Sequence, residues 1–536
     1  MLRRCGCLIF LMVAGLSAKG SAQSSPASPR RLVIATGPAI TNIVPTLTRA
    51  SAAMQASDLV FLRLGRYGGT SFGDHAAVPE LAKGWTRRDS LTIAFDLDPR
   101  ARWHDGRPVT ARDVVYSFTR ARDPKQSPST AMLLVEVASV QAEGDGRVVI
   151  RFARAYGEQL YDATFHVQIL PEHLVAAIPA DSLASSAFVR APVGTGPYRW
   201  DRLEPADYLQ LRSVPDFFLG TPAIEQMVWR FTTSHETRLG MLLSGEADVQ
   251  EDIMPPVSNL SRLSERPSLR VAHFPSLAVN YLLFNERTPG DTARPHPLFA
   301  DAGMRRAITL GIDRATIAKA IFGKYATLIS SPAAPAVWFG ALAPPVVSYD
   351  PKQAARLLTE RGWKDSDGDG ILDRNGVPLA FTLLVTSSSE ARKQMALIIQ
   401  AQLKRLGVRV EVVPVDFTQF GSRRPQGNFD ASLESYGGDP SPWSLLDRWG
   451  CGASANFGRY CNRTADSLLR AAHLARKDPA PPIRGWLRTV ADDYPAAFLF
   501  TVDRVYAIPK AYGNVNFQVE SPWERVWTWT LPGAGR

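Results

Sequence analysis

The chain has 536 residues, 45% of them hydrophobic and 21% charged, enough for two or three domains with ample buried core and far from the composition of a disordered polymer. Its formal charge of +10 at pH 7 is spread along the chain, without a run of five or six basic residues. No nucleic-acid partner is expected, and the excess reads as that of a generally basic exported protein before it reads as attraction to acidic ligands or an anionic membrane surface.

Residues 1–22 have the layout of a secretory signal peptide. Arg3 and Arg4 form the charged start, Leu8–Leu16 the apolar middle, and Gly20-Ser21-Ala22 a small-residue cleavage site before Gln23. The apolar run is shorter than the roughly 20 residues that span a bilayer. Cys5 and Cys7 precede that run, so they do not fit a lipoprotein acylation site. Cleavage removes Arg3, Arg4 and Lys19 and no acid, leaving a charge of about +7. The mature chain is expected to be soluble and periplasmic. Of four cysteines it keeps Cys451 and Cys461, an even pair that an oxidising compartment favours as a disulfide. Two free thiols or a metal pair are the alternatives, although no further histidine or cysteine pair lies at ligand spacing.

A strand is expected at Arg31–Ala35. Leu91–Leu97 alternates Leu91, Ile93, Phe95 and Leu97 with other residues, as a half-buried strand does. Trp103-His104-Asp105-Gly106 reads as a turn. Thr110, three residues before Asp113, starts a capped helix Ala111–Arg122 that ends before Pro124. Further on come a strand Val148–Phe152, the stretch Leu170-Pro171-Glu172-His173-Leu174, and the turn Val193-Gly194-Thr195-Gly196-Pro197-Tyr198 leading into a strand. That turn lacks the Gly-Lys-Ser/Thr ending of a phosphate loop. A helix Thr237–Leu243 closes at Gly245, before Ala247-Asp248-Val249. The strand Ala278–Phe284 precedes two helical stretches over Met304–Gly323, the second capped by Asp313. Asp350-Pro351 starts a helix that Gly362 closes. Ser389–Leu406, Gly407 and Val408–Val415 form a helix, a glycine stop and a strand; Phe429–Glu434 is another strand, and an aromatic tail runs over Phe517–Leu531. Strands and helices interleave throughout, which indicates an α/β protein.

The segment Trp85–Pro124 (GWTRRDSLTIAFDLDPRARWHDGRPVTARDVVYSFTRARDP), with Leu170–Leu174, Val193–Tyr198 and the stretch FNER…RRAITLGIDRATIAKAIFG, resembles the family-5 extracellular solute-binding proteins in its order of landmarks. These are the peptide- and nickel-type receptors of ABC importers. The resemblance implies a two-lobed, periplasmic-binding-protein-like fold of the large, cluster C type. Residues 23–275 and 502–536 would build the first lobe, with a subdomain at about 76–192, and residues 276–501 an inserted second lobe. Two chain crossings would form the hinge, and the solute would be trapped by closure. It further implies a monomer that takes oligopeptides to the transmembrane subunits of a permease, without a cofactor and without catalysis. Nickel chelates, haem, opines and oligosaccharides are the alternative solutes. From other classes, an exported hydrolase or a folding helper remains open.

Peptide-binding members of the family pair an aspartate of an aromatic-x-x-Asp stretch with the ligand's α-amine. By position this is Asp439, with Tyr436 in the aromatic place, Gly437 and Gly438 between them and Trp443 beyond. A turn-initiating role for Asp439-Pro440 is the plain alternative. The sequence departs from the pattern in Pro440-Ser441-Pro442, and in having Thr386-Ser387-Ser388-Ser389 where some dipeptide receptors carry an arginine for the ligand's carboxylate. The Cys451–Cys461 ring resembles one in the dipeptide-binding branch; it could shape the cleft edge or simply staple the fold. Asp365, Asp367, Asp369 and Asp373 imitate a calcium loop, but Gly376 stands where that loop needs a bidentate glutamate, so no metal is expected. No His-Glu-x-x-His or Gly-x-Ser-x-Gly pattern occurs.

Overall fold

The computed structural model describes residues 30–37, 39–48, 51–67, 77–251, 258–517 and 521–531; the segment read as a signal peptide lies outside them. The strand Arg31–Thr36 sits inside a seven-stranded mixed sheet, parallel to Gln226–Phe231 on one side and to Val249–Gln250 on the other. Tyr208–Ser213 and Tyr198–Glu204 extend the sheet one way, Arg504–Pro509 and Leu269–Phe274 the other. The aromatic tail closes over this sheet: Phe517 and Trp523 pack with Tyr506, Trp529 packs on both of them, and Phe517 stacks on Phe274.

An antiparallel sheet of Ala82–Asp89, Thr92–Leu97, Arg147–Phe152 and Val137–Ala142 forms a second body on this lobe. Its strand Thr92–Leu97 is buried on both faces, not one. Small Ala94 is paired with Thr86 and Val149 on the neighbouring strands, whose side chains share its face.

Around this sheet the sequence landmarks meet. Thr110 N–H donates to the Asp113 carboxylate, capping the helix Ala111–Ala121. The same carboxylate accepts from Trp103 Nε1 at 3.3 Å and from the Glu172 amide at 2.9 Å. Gly106 takes a φ of +89° in the turn after Trp103. His104 grips the glycine turn: its Nδ1 accepts from the Gly194 amide, and its Nε2 lies 3.0 Å from the Gly196 carbonyl. A Cβ at Gly194 would stand 1.9 Å from the Val60 carbonyl oxygen, which explains the glycine. The stretch Leu170–Leu174 runs into a single helical turn, Glu172–Val175.

The second lobe is a six-stranded sheet in the order Ala326–Leu328, Ala496–Val502, Ala278–Phe284, Ala431–Gly437, Ala380–Thr386, Arg409–Val415. Separate apolar clusters cover its two faces. Helix Glu390–Lys404 packs on one of them, capped by Ser389 as its sequence indicates. The strand expected over Phe429–Glu434 instead runs Ala431–Gly437, because it pairs residue for residue with Ala278–Phe284 as far as Gly437. Gly245 and Gly407 adopt left-handed conformations at the stops expected of them.

The chain leaves the first sheet after Phe274, enters the second at Ala278, and returns between Val502 and Arg504. Ser276 Oγ donates to the Val502 carbonyl at 2.7 Å, so the two crossings lie side by side. Cys451 and Cys461 form a disulfide. Its ring packs at the far end of strand Ala278–Phe284, where the Glu286 amide donates to the Gly458 carbonyl, away from the crossings.

Burial pushes the His104 imidazole down to about 4 from its ordinary 6.5. Between those values the unfolded chain binds a proton that the folded one does not, so acidification through pH 6.5 to 4 destabilises the fold. Urea unfolding of wild type and His104→Gln at pH 7 and pH 4 should show a steeper acid loss in wild type, the difference approaching about 3 kcal/mol at pH 4. Equal losses would mean that His104 does not titrate in this way.

Candidate functional site

The strand Ala431–Gly437 carries the cleft. Its side chains alternate, so Tyr436 turns into the core of the second lobe while Ser435 and Gly437 face outward. Tyr436 donates its hydroxyl to the Pro332 carbonyl, and its ring packs against Tyr281 and under the Arg448 guanidinium. It therefore supports the strand from behind, and its ring is not presented to the cleft. A Cβ on Gly437 would meet nothing within 4 Å. Gly438 is constrained instead: its amide donates to the Leu277 carbonyl at 2.7 Å, and a Cβ would lie 2.8 Å from that oxygen.

This close approach delivers Asp439 to the boundary with the first lobe. Asp439 Oδ1 accepts from the Ser441 amide at 2.7 Å and from the Tyr161 hydroxyl of the first lobe at 2.6 Å. Burial raises its carboxyl pKa, offset by the neighbouring His166 and by these two hydrogen bonds. Ser441 makes the second bridge, donating its hydroxyl to Glu158 Oε2 at 2.7 Å. Burial is likewise the main cause raising the Glu158 carboxyl, against His473 and with Asp162. His473 Nδ1 lies 3.6 Å from Glu158. Its ring is stacked on Trp443, with centroids 4.2 Å apart, and touches Tyr156 on the other lobe. The Gly157 amide adds a backbone link to the Ala475 carbonyl. Trp443 is thus engaged within the interface, an arrangement that leaves neither it nor Tyr436 as an open platform for a sugar.

Tyr161, Glu158, His473 and Arg392 are not marked by any motif, because their roles arise only where the lobes meet or a helix end folds back. Arg392 lies one turn beyond the Thr386–Ser389 stretch. Its guanidinium donates to Thr386 Oγ1 at 3.1 Å and to Ser435 Oγ at 2.6 Å. Among the described residues it forms no ion pair with a carboxylate at contact distance. It borders a cavity of about 500 Å³ beside the crossings, lined also by Ser276, Ala278 and Asn280. The cleft thus holds a buried carboxylate beyond one end of strand Ala431–Gly437 and, beside Ser435, a guanidinium that is hydrogen-bonded to neutral hydroxyls and feels the charge of nearby Glu434. One suits a cation and the other an anion.

The oxygens of Asp365, Asp367 and Asp369 lie within 4.8 Å of one another on the surface. Asp365 and Asp369 accept from backbone amides of their own turn, and Asp373 is bound to Ser366 instead. The structure gives these acids work as turn formers.

A profile described as "Bacterial extracellular solute-binding proteins, family 5 Middle" matches residues 76–457. The oligopeptide-binding protein AppA of Bacillus subtilis is 25% identical over 455 residues, 82% of this chain and 81% of its own. The structure of that protein with a nonapeptide superposes with a TM-score of 0.77 at 22% identity, covering 94% of this chain and all of the other. NikZ from Campylobacter jejuni, in complex with Ni(L-His), superposes at 0.79 and 22% identity over the same shares. DppA from Helicobacter pylori, with the peptide STSA, gives 0.76 at 19% identity, covering 94% of this chain and 98% of its own. These are two-lobed binding-protein folds, and among the described residues here no helix is long and apolar enough to cross a membrane. The chain belongs to the bacterial extracellular solute-binding proteins of family 5, the receptors that serve ABC importers.

Proposed function

We propose that this protein captures oligopeptides between its lobes in the periplasm, as a monomer and without chemical turnover, and delivers them to the transmembrane subunits of an ABC permease. The hinge in this reading is the pair of crossings at 275/276 and 501/502, and residues 1–22 are the cleaved signal. The observation that carries it is the placement of opposite charges beside one cleft-facing strand, Arg392 against Ser435 and Asp439 just beyond the strand's end. Asp439 takes the ligand's α-amine, with Tyr161 yielding or sharing its place, and Arg392 takes the α-carboxylate. Ser435, which holds Arg392, is four residues from Asp439; at the strand rise of about 3.3 Å per residue this is at most about 13 Å. That span suits an extended zwitterion of three or four residues. The exposed edge of Ser435 and Gly437 leaves room for a peptide backbone to lie close. The likeness to AppA, named as oligopeptide-binding, supports the same solute class.

Thermal shifts of the mature, ligand-stripped protein against pooled di- to pentapeptides, sugars and nickel chelates test the solute. A peptide at about 100 times its dissociation constant should stabilise by about 2.7 kcal/mol, and mass spectrometry should recover it intact. A response confined to sugars or chelates would replace the solute, and cleavage products would replace the receptor reading with the hydrolase one.

Gly437→Leu tests the strand edge. The position is exposed and its Cβ meets nothing within 4 Å, so the unfolding midpoint should stay within a few degrees of wild type while peptide affinity falls at least about 100-fold, a loss of about 2.7 kcal/mol. Undiminished affinity would place the ligand elsewhere.

A further inference from the structure

The cavity beside Arg392 is not polar throughout. Leu260, Phe322 and Met395 form much of its wall, and Phe417 stands at its rim. Met395 is three residues after Arg392 on the same helix, so both project from one face toward the same space. Phe417, the first residue of helix Phe417–Arg423, is 72% exposed, the highest value among the large apolar side chains described. A phenyl ring held in water beside an apolar cavity gains contact only when something apolar fills the space next to it.

We infer that this cavity selects the side chain of the ligand's carboxyl-terminal residue, accepting a bulky apolar or aromatic group, with Phe417 and Met395 as the specificity-determining residues. The inference rests on the peptide reading above, with Arg392 as the carboxylate partner. A carboxylate seated on Arg392 leaves the last side chain the nearest ligand group to Met395 and Phe417. Acidic and small polar side chains would forgo the apolar wall; the two further charged residues that line the cavity, Asp503 and Arg504, are of opposite sign. The remaining ligand side chains would lie toward Asp439, outside this cavity, and would be chosen less strictly.

Calorimetric titration of the mature protein and of Phe417→Ala with Ala-Ala-Ala-Phe, Ala-Ala-Ala-Leu, Ala-Ala-Ala-Ser and Ala-Ala-Ala-Asp tests this. Wild type should bind the Phe and Leu peptides at least ~10-fold more tightly than the Ser and Asp peptides. Phe417→Ala should narrow that ratio to within ~3-fold, chiefly by weakening the Phe and Leu peptides. Because Phe417 is exposed, the variant keeps the core intact. Four peptides bound alike by wild type, or a ratio undiminished in Phe417→Ala, would overturn the apolar subsite while leaving the peptide receptor standing. Failure of all four to bind would overturn both.

Discussion

The cleft depends on where one buried carboxylate is held. Asp439 lies beyond the end of a strand whose pairing runs to Gly437, after a glycine that must approach the Leu277 carbonyl too closely for any side chain. Leu277 belongs to the crossing that leads from the first lobe into the second. The position of Asp439 is therefore tied to that crossing by backbone, not by a flexible side-chain contact. From that position it reaches Tyr161 across the boundary, while Ser441, two residues on, reaches Glu158. Burying a carboxylate is costly unless it is well bonded. Both hydroxyl bridges offset part of that cost when the lobes meet, and an ammonium ion would offset more.

The residues that make the chain recognisable as a family member do different work from those that meet a solute. Trp103, His104, Asp113, Glu172 and Gly194 knit one body of the first lobe through a buried carboxylate, a neutral imidazole and a glycine pressed against the Val60 carbonyl. His104 and Asp113 need their own side chains because both bind backbone groups of fixed geometry. The cavity wall of Leu260, Phe322 and Met395 asks only for apolar bulk. The scaffold can stay constant while the pocket varies, and the same fold is seen with a nonapeptide in AppA and with Ni(L-His) in NikZ.

Elements with local punctuation were legible in the sequence. The helix after Thr110, the one capped by Asp313 and the one begun by Asp350-Pro351 lie where their caps indicate, and Ala278–Phe284 is a strand with the bounds its pattern suggests. Strands with weaker punctuation were not singled out: Gln226–Phe231 and Ala496–Val502 are buried by their sheets, and an apolar run alone does not distinguish a buried strand from a helix segment. At the site, the Tyr436–Trp443 stretch drew attention by its motif, yet the direction of Tyr436 followed from a strand register that only the fold reveals. Tyr161 meets Asp439 from 278 residues away, and Arg392 acts by folding back on Thr386. Neither relation leaves a local trace.

The most direct test is a thermodynamic cycle on the ligand's amine. A tetrapeptide and its N-acetylated form would be titrated by calorimetry into wild type and Asp439→Asn. Acetylation should cost wild type about 2–5 kcal/mol of binding and cost the variant little, since the charge pair is already gone. An equal cost in both proteins, or none in either, would contradict the assignment of Asp439 as the amine's partner.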